Sequence, residues 1–278
     1  MQVIIIGAGR GSRLMPTTAD HPKCFAEVAN RRLIDWSLQA FQENPVQSIG
    51  PDQVCFIGGY QIAKVRSAFP QFTFRHNEKW QENNILASLF CAEDLMQDGF
   101  LCAYSDILFT PAVIGSLIAS QAEITLGVDT EWLGRYVGRT EHPSDDAEKV
   151  TASKGRVLRI SRQLDEQDAH GEFIGVARFS AAGAAQLIEH YHRCRREFAG
   201  HPWGAAAVFE KAYLIQLLEE MLLRGVAMAH VDTPGGYIEV DTQQDFQYAR
   251  EHWTGNHLRT LNLQKYVKAD YKSSLLRH

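Results

Sequence analysis

Apolar and polar positions follow two rhythms along the first half of the chain. "QVIII" (2–6) is an uninterrupted apolar run, the mark of a buried strand, and leads into a long loop. "RLIDWSLQAFQE" then places apolar residues at 33, 34, 38 and 41, a helical period. The exchange repeats with "DQVCFIGG" as strand, "YQIAKVRSAF" as helix, "QFTFRHN" as strand and "NNILASLFCAEDLM" as helix. "GFLCAYSD" is a further strand, "PAVIGSLIAS" a helix with Pro111 in its first turn, and "AEITLGVD" a fifth strand. Alternation at this spacing predicts an α/β fold with a doubly wound sheet, mixed but mainly parallel.

After about residue 130 the rhythm changes. "AEKVTAS", "RVLRISR" and "FIGVARFS" predict strands, with turns at "SKG" and "DEQDAHGE". "AAGAAQLIEHYHRC" and "AVFEKAYLIQLLEEMLLRG" predict helices; a strand "VAMAHVDT", a "PGG" turn, a short "YIEVD" and a helix from Thr242 follow. This second half reads as a small lid on the same sheet, within one domain spanning 1–251.

Composition narrows the classes. The 278 residues are 45% apolar and 22% charged, ordinary for a globular protein with a real core. A net charge of −5 argues against nucleic acid as a partner. The tail 252–278 departs from this, with five Lys/Arg against one Asp, and reads as a mobile end or an arm on a second copy in a homodimer. The five cysteines lack CxxC or metal-ligand spacing and sit in apolar runs, which points to buried thiols and a reduced, cytoplasmic setting. No apolar run approaches the roughly 18 residues of a membrane span.

The loop within "IIIGAGRGSRLMPTTADHPK" (4–23) carries the candidate chemistry. A dinucleotide fingerprint needs a third glycine where Ser12 stands, and a helix that Pro16 and Pro22 forbid. A P-loop needs Lys and Ser/Thr directly after the last glycine. What remains is a long glycine-rich turn whose backbone N–H groups can wrap a polyphosphate, with Arg13 and Lys23 as cations. A plain solvent-exposed turn is the alternative. Asp106, directly after the strand "FLCAY", lies where open α/β sheets bind ligands and suits a metal.

"GAGRGSRLMPTTADHPKCFAEV" (7–28) resembles the G-x-G-x-R…P-K signature of nucleotidyltransferases that join an NTP to a phosphorylated small molecule. "NEKWQENNILASLF" (77–90) is similar to the phosphocholine and 2-aminoethylphosphonate cytidylyltransferase-like branch. The resemblance implies a Rossmann-like nucleotidyltransferase fold, with 1–130 as nucleotide half and 131–251 as acceptor half. It implies catalytic roles for Lys23 and Arg13, and nucleotide contacts from Gly7, Ala8, Gly9, Arg10, Gly11 and Ser12. Tyr60 falls where the family packs the nucleobase, or else in the core; Asn84 and Ser88 share a helix face, although Asn84 also suits a helix cap. The family's metal aspartate falls on Asp106, and its second acidic element on Glu239 and Asp241, with a cap of the last helix as the alternative for Asp241. Trp132 matches a tryptophan of the choline pocket or is a packing residue; with Glu172 it would read an amine. Lys149 and Arg162 are candidate cations for the acceptor phosphate, or ordinary strand residues.

The implied reaction is attack by a phosphate or phosphonate oxygen on the α-phosphorus of an NTP, CTP for this branch. A phosphate is already largely ionised at neutral pH, so no histidine base is required. Mg²⁺ on Asp106 and Asp241 would balance the meeting anions. Rival readings are a sugar 1-phosphate uridylyl- or thymidylyltransferase, a non-catalytic nucleotide sensor, and a nicotinamide enzyme.

Overall fold

A computed structural model describes residues 1–253; the reading of the basic tail lies outside them apart from its first two residues. In chain order the strands are β1 (Gln2–Gly7), β2 (Glu27–Val28), β3 (Arg31–Arg32), β4 (Val54–Gly58), β5 (Thr73–His76), β6 (Phe100–Tyr104) and β7 (Ile107–Phe109). They continue with β8 (Ile124–Asp129), β9 (Lys149–Ser153), β10 (Arg156–Ile160), β11 (Gly171–Phe179), β12 (Ala229–Asp232) and β13 (Tyr237–Glu239). The helices are α1 (Leu33–Glu43), α2 (Ile62–Ala68), α3 (Ile85–Leu89), α4 (Pro111–Ala119), α5 (Trp132–Tyr136), α6 (Ala181–Phe198) and α7 (Leu214–Leu223), with α8 through 243–253. None of them is long and apolar enough to cross a membrane.

Nine strands form one sheet in the order β5-β4-β1-β6-β11-β8-β12-β10-β9. β1 lies inside it because both its faces are apolar. Ile4 and Ile6 join Leu86, Leu187 and Leu217 on one side, and Val3 and Ile5 join Ile34, Phe41 and Ile114 on the other. Helices therefore cover both faces, the doubly wound arrangement the alternation predicts. The parallel pairings link β5, β4, β1 and β6, and β8 with β12. The second half is antiparallel around β11, which pairs with β6, β8 and β9.

Local chemistry explains the second half. Lys154 and Gly155 both have positive φ, so "SKG" closes the β9–β10 hairpin with a tight turn of the required twist. β11 breaks register between Phe173 and Ala177, and Gly175 within that break has φ +72°. A Cβ at Gly175 would lie 2.4 Å from the Tyr104 ring, so the glycine lets that ring rest on the strand.

Two predicted helices differ. The helix expected over 207–225 begins only at Leu214, because the Glu210 and Ala212 carbonyls accept from the Asn84 and Leu86 amides at the start of α3 (3.0 and 3.3 Å). The helix expected over 83–96 is α3 followed by tighter turns that kink at Ala92. β7 pairs with β13 and brings "YIE" beside the strand leaving Asp106, a pairing that hydrophobic periodicity does not announce.

Candidate active site

One cavity of about 270 Å³ opens where β1 and β6 end and β11 begins. Ligands gather at such strand ends in open α/β sheets. One group in the cavity lining is Gly7, Ala8, Gly9, Gly11, Arg13 and Lys23. Gly7 has no room for a side chain, since a Cβ would fall 2.6 Å from Phe56 and 2.8 Å from the Ser105 hydroxyl. Gly11 has φ +68°, and its Cβ would strike the Lys23 stem at 2.9 Å, so the loop folds directly over the lysine. The Thr18 hydroxyl donates to the Gly11 carbonyl at 2.8 Å and holds that turn.

Lys23 is 8% exposed, and its ammonium donates to Asp106 Oδ2 and Asp241 Oδ1, each at 2.5 Å. Burial opposes its charge, but Asp106, Asp241 and Glu239 outweigh it and raise the lysine above its ordinary value. Arg13 pairs with Asp241 and reaches Asp146 at 3.5 Å. Asp241 is also buried, yet Lys23 and Arg13 hold it below the usual carboxylate range. Glu239 is pushed well above that range by burial and by Asp241 and Asp106. Glu239 is thus favoured in its neutral form, while Asp106 and Asp241 share Lys23 as counter-ion, and these carboxylate oxygens facing the cavity are the hard ligands that suit a divalent ion such as Mg²⁺.

The last helix is not capped by Asp241. The Thr242 hydroxyl accepts from the Asp245 amide (3.2 Å), while Asp245 Oδ2 accepts from the amides of Thr242 (2.9 Å) and Asp241 (3.1 Å). This reciprocal cap leaves the Asp241 carboxylate facing Lys23. Burial opposes ionisation of Asp245, but His142 and Arg139 hold it down at about 2.

Asn84 is both a helix cap and a lining residue. It caps α3 by accepting from the Ile85 amide at 2.9 Å, and it lines the cavity with Ser88. Ser88 accepts from Asn77 at 2.8 Å. Tyr60 lies beside the cavity lining, its hydroxyl donating to the Ala19 carbonyl (2.8 Å) and its ring 5.4 Å from the Arg10 guanidinium. Trp80 takes the lining position next to it, seated where a Cβ on Gly59 would lie 2.6 Å away. Arg10 and Ser12 also fall outside the lining.

A second group in the same lining is Arg162 and Glu172, together with Tyr104, Glu148, Phe173, Tyr213 and Tyr237, and Asp146 lies between the two groups, 3.5 Å from Arg13 and 3.9 Å from Arg162. Arg162 stacks on Tyr213 at 4.0 Å and approaches Glu148 at 3.4 Å and Asp146 at 3.9 Å. Burial lifts Glu148 to about 7 despite Arg162 beside it. Glu172 accepts from the Tyr136 hydroxyl (2.6 Å) and from Arg135 (3.0 Å), which also pairs with Asp129. Trp132 and Lys149 are absent from this lining. Trp132 is buried against Tyr136 and Ala147, the packing alternative for that residue. Lys149 is buried, donates to the Ser144 carbonyl at 3.1 Å, and has its pKa lowered by burial. Glu148 and Tyr104 escape a sequence reading, although an acidic residue opening a strand and a tyrosine two residues before Asp106 are their traces.

The sheet order and this placement of a glycine turn, cations and carboxylates define an α/β enzyme that handles phosphate esters. Residues 3–169 match the MobA-like NTP transferase domain, and the chain belongs to that family, the nucleotidyltransferases. It is 26% identical over 257 residues to a CTP:phosphoglutamine cytidylyltransferase of Campylobacter jejuni, covering 89% of this chain and 98% of the relative. It is 24% identical over 205 residues to a 2-aminoethylphosphonate cytidylyltransferase of Lancefieldella rimae, covering 71% and 74%. Among solved structures, the CTP:phosphocholine cytidylyltransferase of Streptococcus pneumoniae shares the fold with a TM-score of 0.68 at 17% identity, covering 90% of this chain and 97% of that one.

Proposed function

We propose that this enzyme transfers CMP from CTP to a small acceptor carrying a phosphate or phosphonate and an amine, and releases pyrophosphate. The observation that carries the reading is one cavity whose lining holds a glycine turn with Arg13 and Lys23 as well as a mixed-charge aromatic group around Arg162, Glu148 and Glu172. The cytidylyltransferase relatives point to CTP and to acceptors of this kind, phosphoglutamine and 2-aminoethylphosphonate.

In this reading the loop amides from Gly7 to Gly11 and the Arg13 guanidinium hold the triphosphate. The acceptor oxygen attacks the α-phosphorus, the bond to the bridging oxygen breaks, and pyrophosphate leaves with that electron pair. Lys23 faces the growing charge with a fixed ammonium, which costs little reorganisation in a buried site. Asp106 and Asp241, with Glu239 beside them, would hold Mg²⁺, which when bound supplies charge neutralisation and a template for the reacting phosphates. Arg162 pairs with the acceptor's anionic group, while Glu148 and Glu172 among tyrosines favour its ammonium. The amine-reading role moves from Trp132 to that aromatic wall, and Lys149 drops from the acceptor set.

A matrix of CTP, UTP, dTTP and ATP against phosphoglutamine, 2-aminoethylphosphonate, phosphocholine and glucose 1-phosphate, read as pyrophosphate release, tests this. Turnover is expected with CTP and an amine-bearing acceptor, and to require Mg²⁺. Preference for UTP or dTTP with glucose 1-phosphate would overturn the acceptor assignment and leave the transfer chemistry. Nucleotide binding without pyrophosphate from any pair would leave only a sensor.

A further inference from the structure

Outside the cavity, three side chains meet at the point where β11 begins. His170 Nε2 lies 3.0 Å from Asp232 Oδ1, and His230 Nδ1 lies 2.9 Å from the same oxygen. The two imidazole rings cross at 61° with centroids 4.7 Å apart. One donor atom from each of the three residues falls within 4.8 Å of the others. None of the three lines the active-site cavity.

We propose that His170, His230 and Asp232 form a second metal site, of the Zn²⁺ class, that ties the start of β11 to β12. Two imidazoles and one carboxylate are the donor set of many zinc centres, with water completing the coordination. Zinc bonds of about 2.0–2.1 Å in a tetrahedron set ligand atoms about 3.3 Å apart. The two nitrogen–oxygen separations are already within a few tenths of an ångström of that edge, so only the histidine nitrogens, within 4.8 Å of each other, have still to be set by side-chain rotation. The backbone beneath is fixed. The His170 amide donates to the Val150 carbonyl at 2.8 Å, and His230 and Asp232 sit in β12, paired in register with Leu126 and Val128 of β8. Side-chain exposure of 33% at His170 and 42% at Asp232 leaves an entry path for an ion with its waters.

The cluster also spans a gap in the pairing. β11 and β12 are separated by β8 in the sheet order, and the exposed "DEQDA" turn (165–169) runs directly into His170. A metal here would pin the end of that turn two residues before Glu172, which lines the acceptor end of the cavity. Cysteines offer little competition. Cys24, Cys55, Cys102 and Cys194 have their thiols pushed up by burial, to about 12 for Cys55 and Cys102 and about 11 for Cys194.

The test uses the full chain stripped with a chelator and titrated with Zn²⁺ against a chromophoric competitor. His142, Glu239 and Asp241 form another group able to take the ion, so the readout is the equivalent lost on substitution. The wild-type chain is expected to bind one more equivalent than a His170→Ala/His230→Ala variant. Asp232→Asn should weaken that equivalent at least about tenfold. Zn²⁺ should raise the Tm of the wild-type chain by several degrees more than that of the double variant. Wild-type protein loaded with Co²⁺ should show visible d–d bands of a nitrogen–oxygen site, a measurement independent of whether the variants fold. Equal zinc stoichiometry and affinity in wild type and double variant would overturn the proposal, as would a wild-type chain that takes up neither ion.

Discussion

The nucleotide and acceptor groups of the cavity, which meet at Asp146, are built differently. At the nucleotide end the groups come from loops and turns that leave β1, β6 and β13; Gly11 at φ +68° over Lys23 and the Thr242 cap of α8 shape the segments, and one shared network, Lys23 between Asp106 and Asp241 with Arg13 on Asp241, holds the charges. At the acceptor end they come from antiparallel strands and a five-residue helix, and side-chain pairing places them: Arg162 with Glu148 and Tyr213, Arg135 and Tyr136 with Glu172. A charge fixed by a partner is available in proportion to how readily a ligand replaces that partner.

Lys23→Ala should have the largest consequence, because it removes the buried cation that Asp106 and Asp241 share. Pyrophosphate release is expected to fall by at least about a hundredfold, with the KM for the acceptor changed little. An equal loss in that KM would mean that the two ends are not separable.

Glu148→Gln sharpens the comparison through stability. Glu148 has its folded pKa raised from 4.5 to about 7. Its contribution to folding is therefore complete below about 4.5 and is lost as pH rises through 7. The glutamine variant escapes this loss, so relative to wild type it should gain on the order of 2 kcal/mol between pH 5 and pH 8 by denaturant titration. A pH-independent difference would remove Glu148 as the buried acid of the acceptor end.

Arg162→Met should raise the acceptor KM about tenfold, a loss of roughly 1.4 kcal/mol of pairing, and leave the KM for CTP within error. Steady-state kinetics with each substrate varied in turn decides this. Trp132→Phe should have the smallest effect on turnover, an acceptor KM within about twofold of wild type, because the indole packs on Tyr136 and Ala147. A large rise would return Trp132 to the acceptor pocket.

The same division governs what could be read from the chain. Gly7 to Gly11, Arg13 and Lys23 lie in or beside β1 and its loop, and Asp106 closely follows the apolar β6, so proline, glycine and charge spacing announce them. Asp241 and Glu239 reach the site only through the β7–β13 pairing, and the resemblance to known enzymes located them where periodicity did not. Glu148, Tyr104 and Trp80 were not legible, because their roles arise from packing: a bulge at Gly175 seats Tyr104, and the bare Gly59 backbone seats Trp80. Trp132 shows the converse. Its position in the chain suited an acceptor role, but α5 turns it into the packing beneath the wall. The parallel half of the sheet was legible for the same reason as the loop, since each strand there is followed by its own crossover helix.

The seating of Lys23 beneath Gly11 also bears on transplantation. The space that any other residue at 11 would fill is occupied by the lysine's own methylenes, so turn and cation are two parts of one moulded object. Grafting the glycine segment alone onto another scaffold would carry over a shape without its charge, and alanine at 11 would press its methyl group against the stem of the lysine.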